Sequence, residues 1–104
     1  DDQGVARSEM SEEFLRAAQE QGLKYSQLKT LARNSLQYAF IPGQSLWQDS
    51  KIFTPIAACQ ADWTSGRSIA QIESSACRDT IATSEKARLQ WQLETSFVAF
   101  ESQY

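Results

Sequence analysis

Leu28-Lys29-Thr30-Leu31-Ala32-Arg33-Asn34-Ser35-Leu36-Gln37-Tyr38-Ala39-Phe40 is the stretch that decides the fold. Leu28, Leu31, Ala32, Leu36 and Ala39 recur at spacings of three and four, which draws one apolar stripe along a helix and predicts helix from about Tyr25 to Phe40. Ile41-Pro42-Gly43 ends it, because proline disfavours helix in the residue before it and glycine adds a turn signal.

Upstream, Ser11 is a good N-cap, and Glu12 and Glu13 occupy a first turn where the helix dipole favours negative charge, so a helix is expected from about Glu12 to Gln21. Gly22 stands where a left-handed C-cap residue belongs, with Leu23 packing back on the last turn. Downstream, Ser84 caps a final helix that begins with Glu85 and runs to about Glu101, with Leu89, Leu93, Phe97 and Phe100 along one face and Trp91 and Val98 widening it. So large an apolar face calls for a partner surface, expected from a body larger than this chain. Between residues 44 and 83 the pattern breaks into short pieces, within which Ser68 to Cys77 predicts a short helix. No strand and no internal repeat stands out, so the expected fold class is mainly α with about four helices.

A chain of 104 residues allows one small domain or a piece of a larger one. Hydrophobic residues at 41% and charged residues at 22% are ordinary globular values and exclude a disordered or collagen-like class. No apolar run approaches the roughly 20 residues that cross a bilayer, so no membrane partner is expected. A net charge of −3 leaves no basic face for phosphate contacts, so no nucleic acid is expected either. The opening Asp-Asp-Gln-Gly lacks the regions of a signal peptide and reads as the cut end of a longer chain.

The sequence contains no histidine, which removes the commonest general base and the commonest zinc ligand together. Cys59 and Cys77 are the only cysteines, too few for a structural zinc site, and a disulfide is the preferred reading. Closing a loop of about 19 residues would stabilise the fold by roughly 3 kcal/mol. Such a bond belongs in the periplasm or outside the cell, whereas two free buried thiols would suit a cytoplasmic protein.

Asp1 and Asp2 are adjacent carboxylates that point in different directions on an extended backbone, so one can hold a metal while the other meets a substrate. Taken alone, such a pair is ordinarily a solvated acidic segment. Arg7, Arg33, Asn34 and Tyr38 invite phosphate or substrate contacts, although residues of this kind on amphipathic helices usually serve as a solvated face, caps or ion pairs. Trp47, Trp63 and Trp91 could stack bases, but they are far apart in sequence with no basic cluster around them, which favours core packing.

Asp1-Asp2, followed by Glu12-Glu13-Phe14 and then by the Leu28–Phe40 stretch, resembles the C-terminal part of the adenosine deaminase family. Glu85-Lys86-Ala87-Arg88-Leu89, continuing through Leu93 and Phe97 to Phe100-Glu101, is similar to the closing helix of those enzymes. The resemblance covers residues 1–40, the end of a barrel and the helices after it, and residues 84–104, the closing helix; residues 41–83 look like an irregular insertion. What it implies is a TIM (β/α)8 barrel hydrolase with its active site at the C-terminal ends of the strands. The implied reaction is hydrolytic deamination of adenosine or a related purine nucleoside, with zinc activating water. Asp1 would then match the aspartate that completes the zinc site, and Asp2 the one that hydrogen-bonds the purine. Gln3-Gly4 departs from the proline that many members carry after the pair, which touches the assignment of Asp2 more than that of Asp1. The family's other zinc ligands and its acid–base groups are histidines and a glutamate earlier in the chain, so the implied partner is the remainder of a deaminase polypeptide. The alternative reading is a non-catalytic, disulfide-tied helical interaction module.

Overall fold

The computed structural model describes Arg16 and residues 19–102. Arg16, Gln19 and Glu20 are helical, and Gly22 follows in the left-handed region at φ +83°, its N–H donating to the Gln19 carbonyl at 2.9 Å. That is the C-cap geometry expected at this glycine.

Helix α1 spans Tyr25–Gln37 and stops earlier than the apolar spacing predicts. Tyr38 leaves helical geometry at φ −99° and ψ 4° as the C-cap residue, and the Lys86 ammonium takes the freed Gln37 carbonyl at 2.7 Å. Ala39 and Phe40 therefore lie beyond the helix. The expected stripe also splits: Leu28, Ala32 and Leu36 are buried, whereas Leu31 faces outward.

The last helix, α4, runs Glu85–Glu101, with the Ser84 hydroxyl accepting from the Ala87 N–H at 3.0 Å. Its Leu89, Leu93 and Phe97 bury against Ala32 and Leu36 of α1, while Leu28 gathers Leu23, Tyr25 and Phe100 beside them. The apolar face expected to need a larger body is thus covered by the other predicted stripe. Ala87 and Trp91, on a second side of α4, enter a separate core with Leu46, Trp47, Cys59, Ile72, Cys77 and Ile81. Helix α4 is apolar on two sides because it is shared by two cores.

The middle segment is more ordered than its sequence suggests. Strands β1 (Trp47–Asp49) and β2 (Thr54–Pro55) form an antiparallel hairpin, a correction to the expectation of no strand. Three and two residues are too short to display a period of two, and an irregularity between Trp47 and Asp49 breaks the register as well. Phe53 turns the hairpin at φ +56°, and Pro55 is tolerated because a two-strand sheet has only edges.

A 3-10 turn at Ala57–Cys59 leads into α2 (Gln60–Thr64). The short helix expected from Ser68 to Cys77 is not formed as one piece. A 3-10 turn covers Ile69–Gln71, Ile72 is extended at ψ 124°, and α3 covers Ser75–Thr83. The break is held from outside: the Asp62 carboxylate accepts the backbone N–H groups of Glu73 at 2.9 Å and Ser74 at 3.2 Å, and Ser74 then caps α3. A hydrogen-bonded buried carboxylate outweighs the weak propensity of a ten-residue stretch.

Cys59 and Cys77 are joined in a disulfide with both residues fully buried, pinning the first 3-10 turn to α3. Gly43 packs against the start of α4; a Cβ there would lie 2.6 Å from Ser84 Cα, and its φ of +108° suits glycine alone. The fold is mainly helical with one small hairpin.

Candidate functional site

Asp1 and Asp2 lie outside the described residues, as does Arg7, so the structure brings no partner to the residues that the sequence singles out first. Among the described residues no ready-made zinc site is found. There is no histidine, both cysteines are in a disulfide, and the described residues contain no group of three or more His, Cys, Asp or Glu side chains placed to hold a metal. The described donor set does not fit a zinc centre by itself.

A cleft of about 340 Å³ lies between α1, α4 and the 63–67 segment, with Trp63, Trp91 and Phe97 among its apolar walls and Lys29, Arg33, Arg67, Glu94 and Glu101 among its charges. Arg33 comes from the inner side of α1 and forks onto Glu94, Nε to Oε2 at 2.8 Å and NH2 to Oε1 at 2.6 Å. Its guanidinium also lies 5.0 Å from the Phe53 ring centroid and 5.2 Å from that of Phe97. This planar, bidentate and stacked environment suits arginine and not lysine. Arg33 therefore serves as an ion pair, the ordinary reading of such a residue.

One helical turn away, the Lys29 ammonium and the Tyr25 hydroxyl both donate to Glu101 Oε2 at 2.8 Å. The Lys29 hydrogen bond, with help from Tyr25, holds the Glu101 carboxyl below its usual range. Burial, then the Glu101 hydrogen bond, pushes the Tyr25 phenol upward. Asp62 is held down as well, first by the Glu73 N–H, then by Ser74 and by Arg67 NH1 at 3.1 Å. All three shifts move a group away from neutral pH, which suits fixed charge pairs and not proton transfer.

The three tryptophans do come together. Trp47 meets Trp63 at 5.3 Å and Trp63 meets Trp91 at 5.8 Å between ring centroids, both edge-to-face, with Phe53 at 5.5 Å from Trp47. Trp47 and Trp91 are buried and their edges meet faces, so the set is core and offers no row of parallel faces to bases. Trp91 Nε1 donates to the Arg67 carbonyl at 3.0 Å. Trp47 Nε1 is buried without a hydrogen-bond partner among the described residues.

Sequence reasoning passed over Asp62, Gln90 and Glu94, all buried. Gln90 Oε1 accepts the Leu46 N–H at 2.7 Å while its Nε2 donates to Gln37 Oε1 at 3.0 Å, tying α1, the chain before β1 and α4 together. Gln90 and Glu94 are one turn apart, between the two apolar sides of α4, and only that double periodicity could have marked them as interior.

No helix among the described residues is long and apolar enough to cross a membrane. The chain matches no protein-family model, no curated protein and no solved structure.

Proposed function

We propose that this chain is the C-terminal part of a zinc-dependent TIM-barrel hydrolase of the adenosine deaminase type, which converts adenosine or a related purine nucleoside to the inosine-type product and ammonia. In this reading Asp1 supplies one zinc ligand and Asp2 contacts the purine. Zinc supplies an activated water in such enzymes, and its remaining ligands come from other parts of the polypeptide. These 104 residues alone are then inactive.

One observation carries the reading. The two stretches that bear the resemblance, 28–40 and 85–101, lie on either side of the insertion-like segment, and their helices pack together through Leu28, Ala32, Leu36, Leu89, Leu93 and Phe97 and through the Arg33–Glu94 fork. The 44–83 segment builds its own disulfide-bonded cluster on the other side of α4. That division supports a family scaffold with an added segment, and the buried disulfide supports a periplasmic or secreted location.

A second reading has its own support. The two apolar stripes cover each other and the disulfide ties the rest, as in a non-catalytic helical interaction module that is stable by itself. An assay of adenosine conversion separates the two. The deaminase reading expects turnover only from the polypeptide that joins this segment to a histidine-bearing remainder. Turnover by the isolated chain with added zinc contradicts its incompleteness, and a polypeptide containing the segment that never deaminates purine nucleosides leaves the module.

A further inference from the structure

Arg33 and Arg67 commit their guanidinium groups to Glu94 and to Asp62 and Glu73. Arg78 and Arg88 pair with no carboxylate among the described residues, in a chain with 13 acidic and 10 basic residues. Each leans instead on one backbone carbonyl: Arg88 donates through Nη1 to the Ile81 carbonyl at 3.1 Å, and Arg78 reaches the Glu73 carbonyl at 3.5 Å. A guanidinium carries five N–H donors, so both groups are positioned while most of their donors stay open.

The two side chains meet at one groove. Arg78 on α3 and Arg88 on α4 line a surface groove of about 330 Å³ together with Ile69, Ile72, Ile81 and Ala82. Ile72 and Ile81 belong to the disulfide-bonded core and Ile69 packs against it, so the floor is the outer surface of a fixed cluster. The lining is selective in its chemistry. Only the arginines bring polar side chains, and the other four are aliphatic. No ring is present to stack a base, and no hydroxyl, amide or carboxylate is present to hold a sugar or a cation. What such a lining complements is an aliphatic body that ends in an anion. The planar fork of arginine matches a carboxylate. The volume lies at the low end of the roughly 300–1,000 Å³ typical of small-ligand sites, which suits one chain and not a two-tailed lipid.

We propose that this groove binds a single-chain aliphatic carboxylate of the fatty-acid class, with its chain along Ile69, Ile72, Ile81 and Ala82 and its carboxylate held by Arg78 and Arg88. The site is separate from the cleft under Arg33. The inference is independent of the deaminase reading, since it requires neither zinc nor a longer polypeptide.

The test is a nuclear magnetic resonance titration of the disulfide-bonded 104-residue chain with decanoate below its micelle threshold, read at side-chain methyls and arginine Nε–H groups. The expected result is saturable shifts at Ile69, Ile72, Ile81, Ala82, Arg78 and Arg88, and roughly ten-fold weaker binding in the double variant Arg78→Gln and Arg88→Gln. Ala82→Glu, at an exposed position, sets a like charge in the groove and should weaken decanoate binding as much with unchanged helical circular dichroism. Full binding by either variant overturns the proposal. Decanol or decyltrimethylammonium binding as tightly as decanoate overturns it too, because the arginines would then read no charge. Acetate binding as tightly would remove the aliphatic floor from recognition, with the same consequence. An acidic peptide with one leucine that binds ten-fold tighter than decanoate assigns the groove to a protein partner and overturns the small-ligand proposal. So does the absence of saturable shifts at these six residues.

Discussion

The two sides of α4 are built by different means. Toward α1 the contact is helix on helix, with Leu89, Leu93 and Phe97 set into the Ala32 and Leu36 stripe and closed at the rim by the Arg33–Glu94 and Lys29–Glu101 pairs. Toward the 44–83 segment it is an aromatic core under short elements, held by the Cys59–Cys77 disulfide and by Asp62, which accepts two backbone N–H groups. The first side follows from periodic local structure. The second depends on long-range ties, because elements of two to nine residues do not form by propensity. The disulfide replaces what secondary structure cannot supply there.

The sharpest way to break this contrast is Trp91→Ala. The side chain is 1% exposed and packs edge-to-face with Trp63, so its loss should cost about 4 kcal/mol in denaturant unfolding, with hydrogen-exchange protection falling first in residues 46–81. Equal loss along α1 would mean that the two sides are one cooperative unit. Removing the disulfide with Cys59→Ala and Cys77→Ala should cost about 3 kcal/mol and open the same segment while α1 and α4 stay helical by circular dichroism.

On the other side, Arg33→Lys keeps the charge but loses the fork on Glu94 and the stacking on Phe53 and Phe97. It should cost about 2 kcal/mol, less than removal of a partner from a fully buried pair, because Arg33 remains partly exposed. Breaking the solvent-facing pair with Lys29→Met should cost at most about 0.5 kcal/mol and should vanish at high salt.

Acid should act on both sides of α4, through Glu101 toward α1 and through Asp62 toward the 44–83 segment. Asp62 is held below its ordinary carboxylate range, so the unfolded chain binds more protons than the folded one at mildly acidic pH. The stabilisation is complete above the unfolded value near 4 and is lost as pH falls through the lower folded value. Thermal unfolding of Asp62→Asn should therefore depend less on pH below about 4 than that of the parent. A parallel pH dependence of the two proteins would remove Asp62 as the source.

What the sequence made legible follows the same divide. The spacing of Leu28, Ala32 and Leu36, the Ser84 cap and the Leu89–Phe97 stripe mark both long helices, because each is a local signal repeated over several turns. Gly22 and the Cys59–Cys77 pairing were legible too, as special residues with few roles open to them. The hairpin and the break before α3 were not, since Phe53 at positive φ and the Asp62 hydrogen bonds depend on residues distant in the chain. Nor could spacing alone tell which stripe would cover which, so the last helix read as needing an outside body while Leu31, which is exposed, read as part of the apolar stripe. For the candidate site, the sequence pointed to Asp1 and Asp2 by resemblance, and the cleft under Arg33 gave no sign because its acids, Glu94 and Glu101, look like an ordinary solvated face.

The central claim turns on Asp1. In the polypeptide that carries this segment, the rate of adenosine conversion to inosine and the zinc content should be measured for the parent and for Asp1→Asn, with the isolated chain as control. The proposed function predicts turnover by the parent, a loss of at least 100-fold with reduced zinc in Asp1→Asn, and none from the isolated chain. Turnover and zinc that are indifferent to Asp1→Asn, or a parent polypeptide that converts no purine nucleoside, would contradict it.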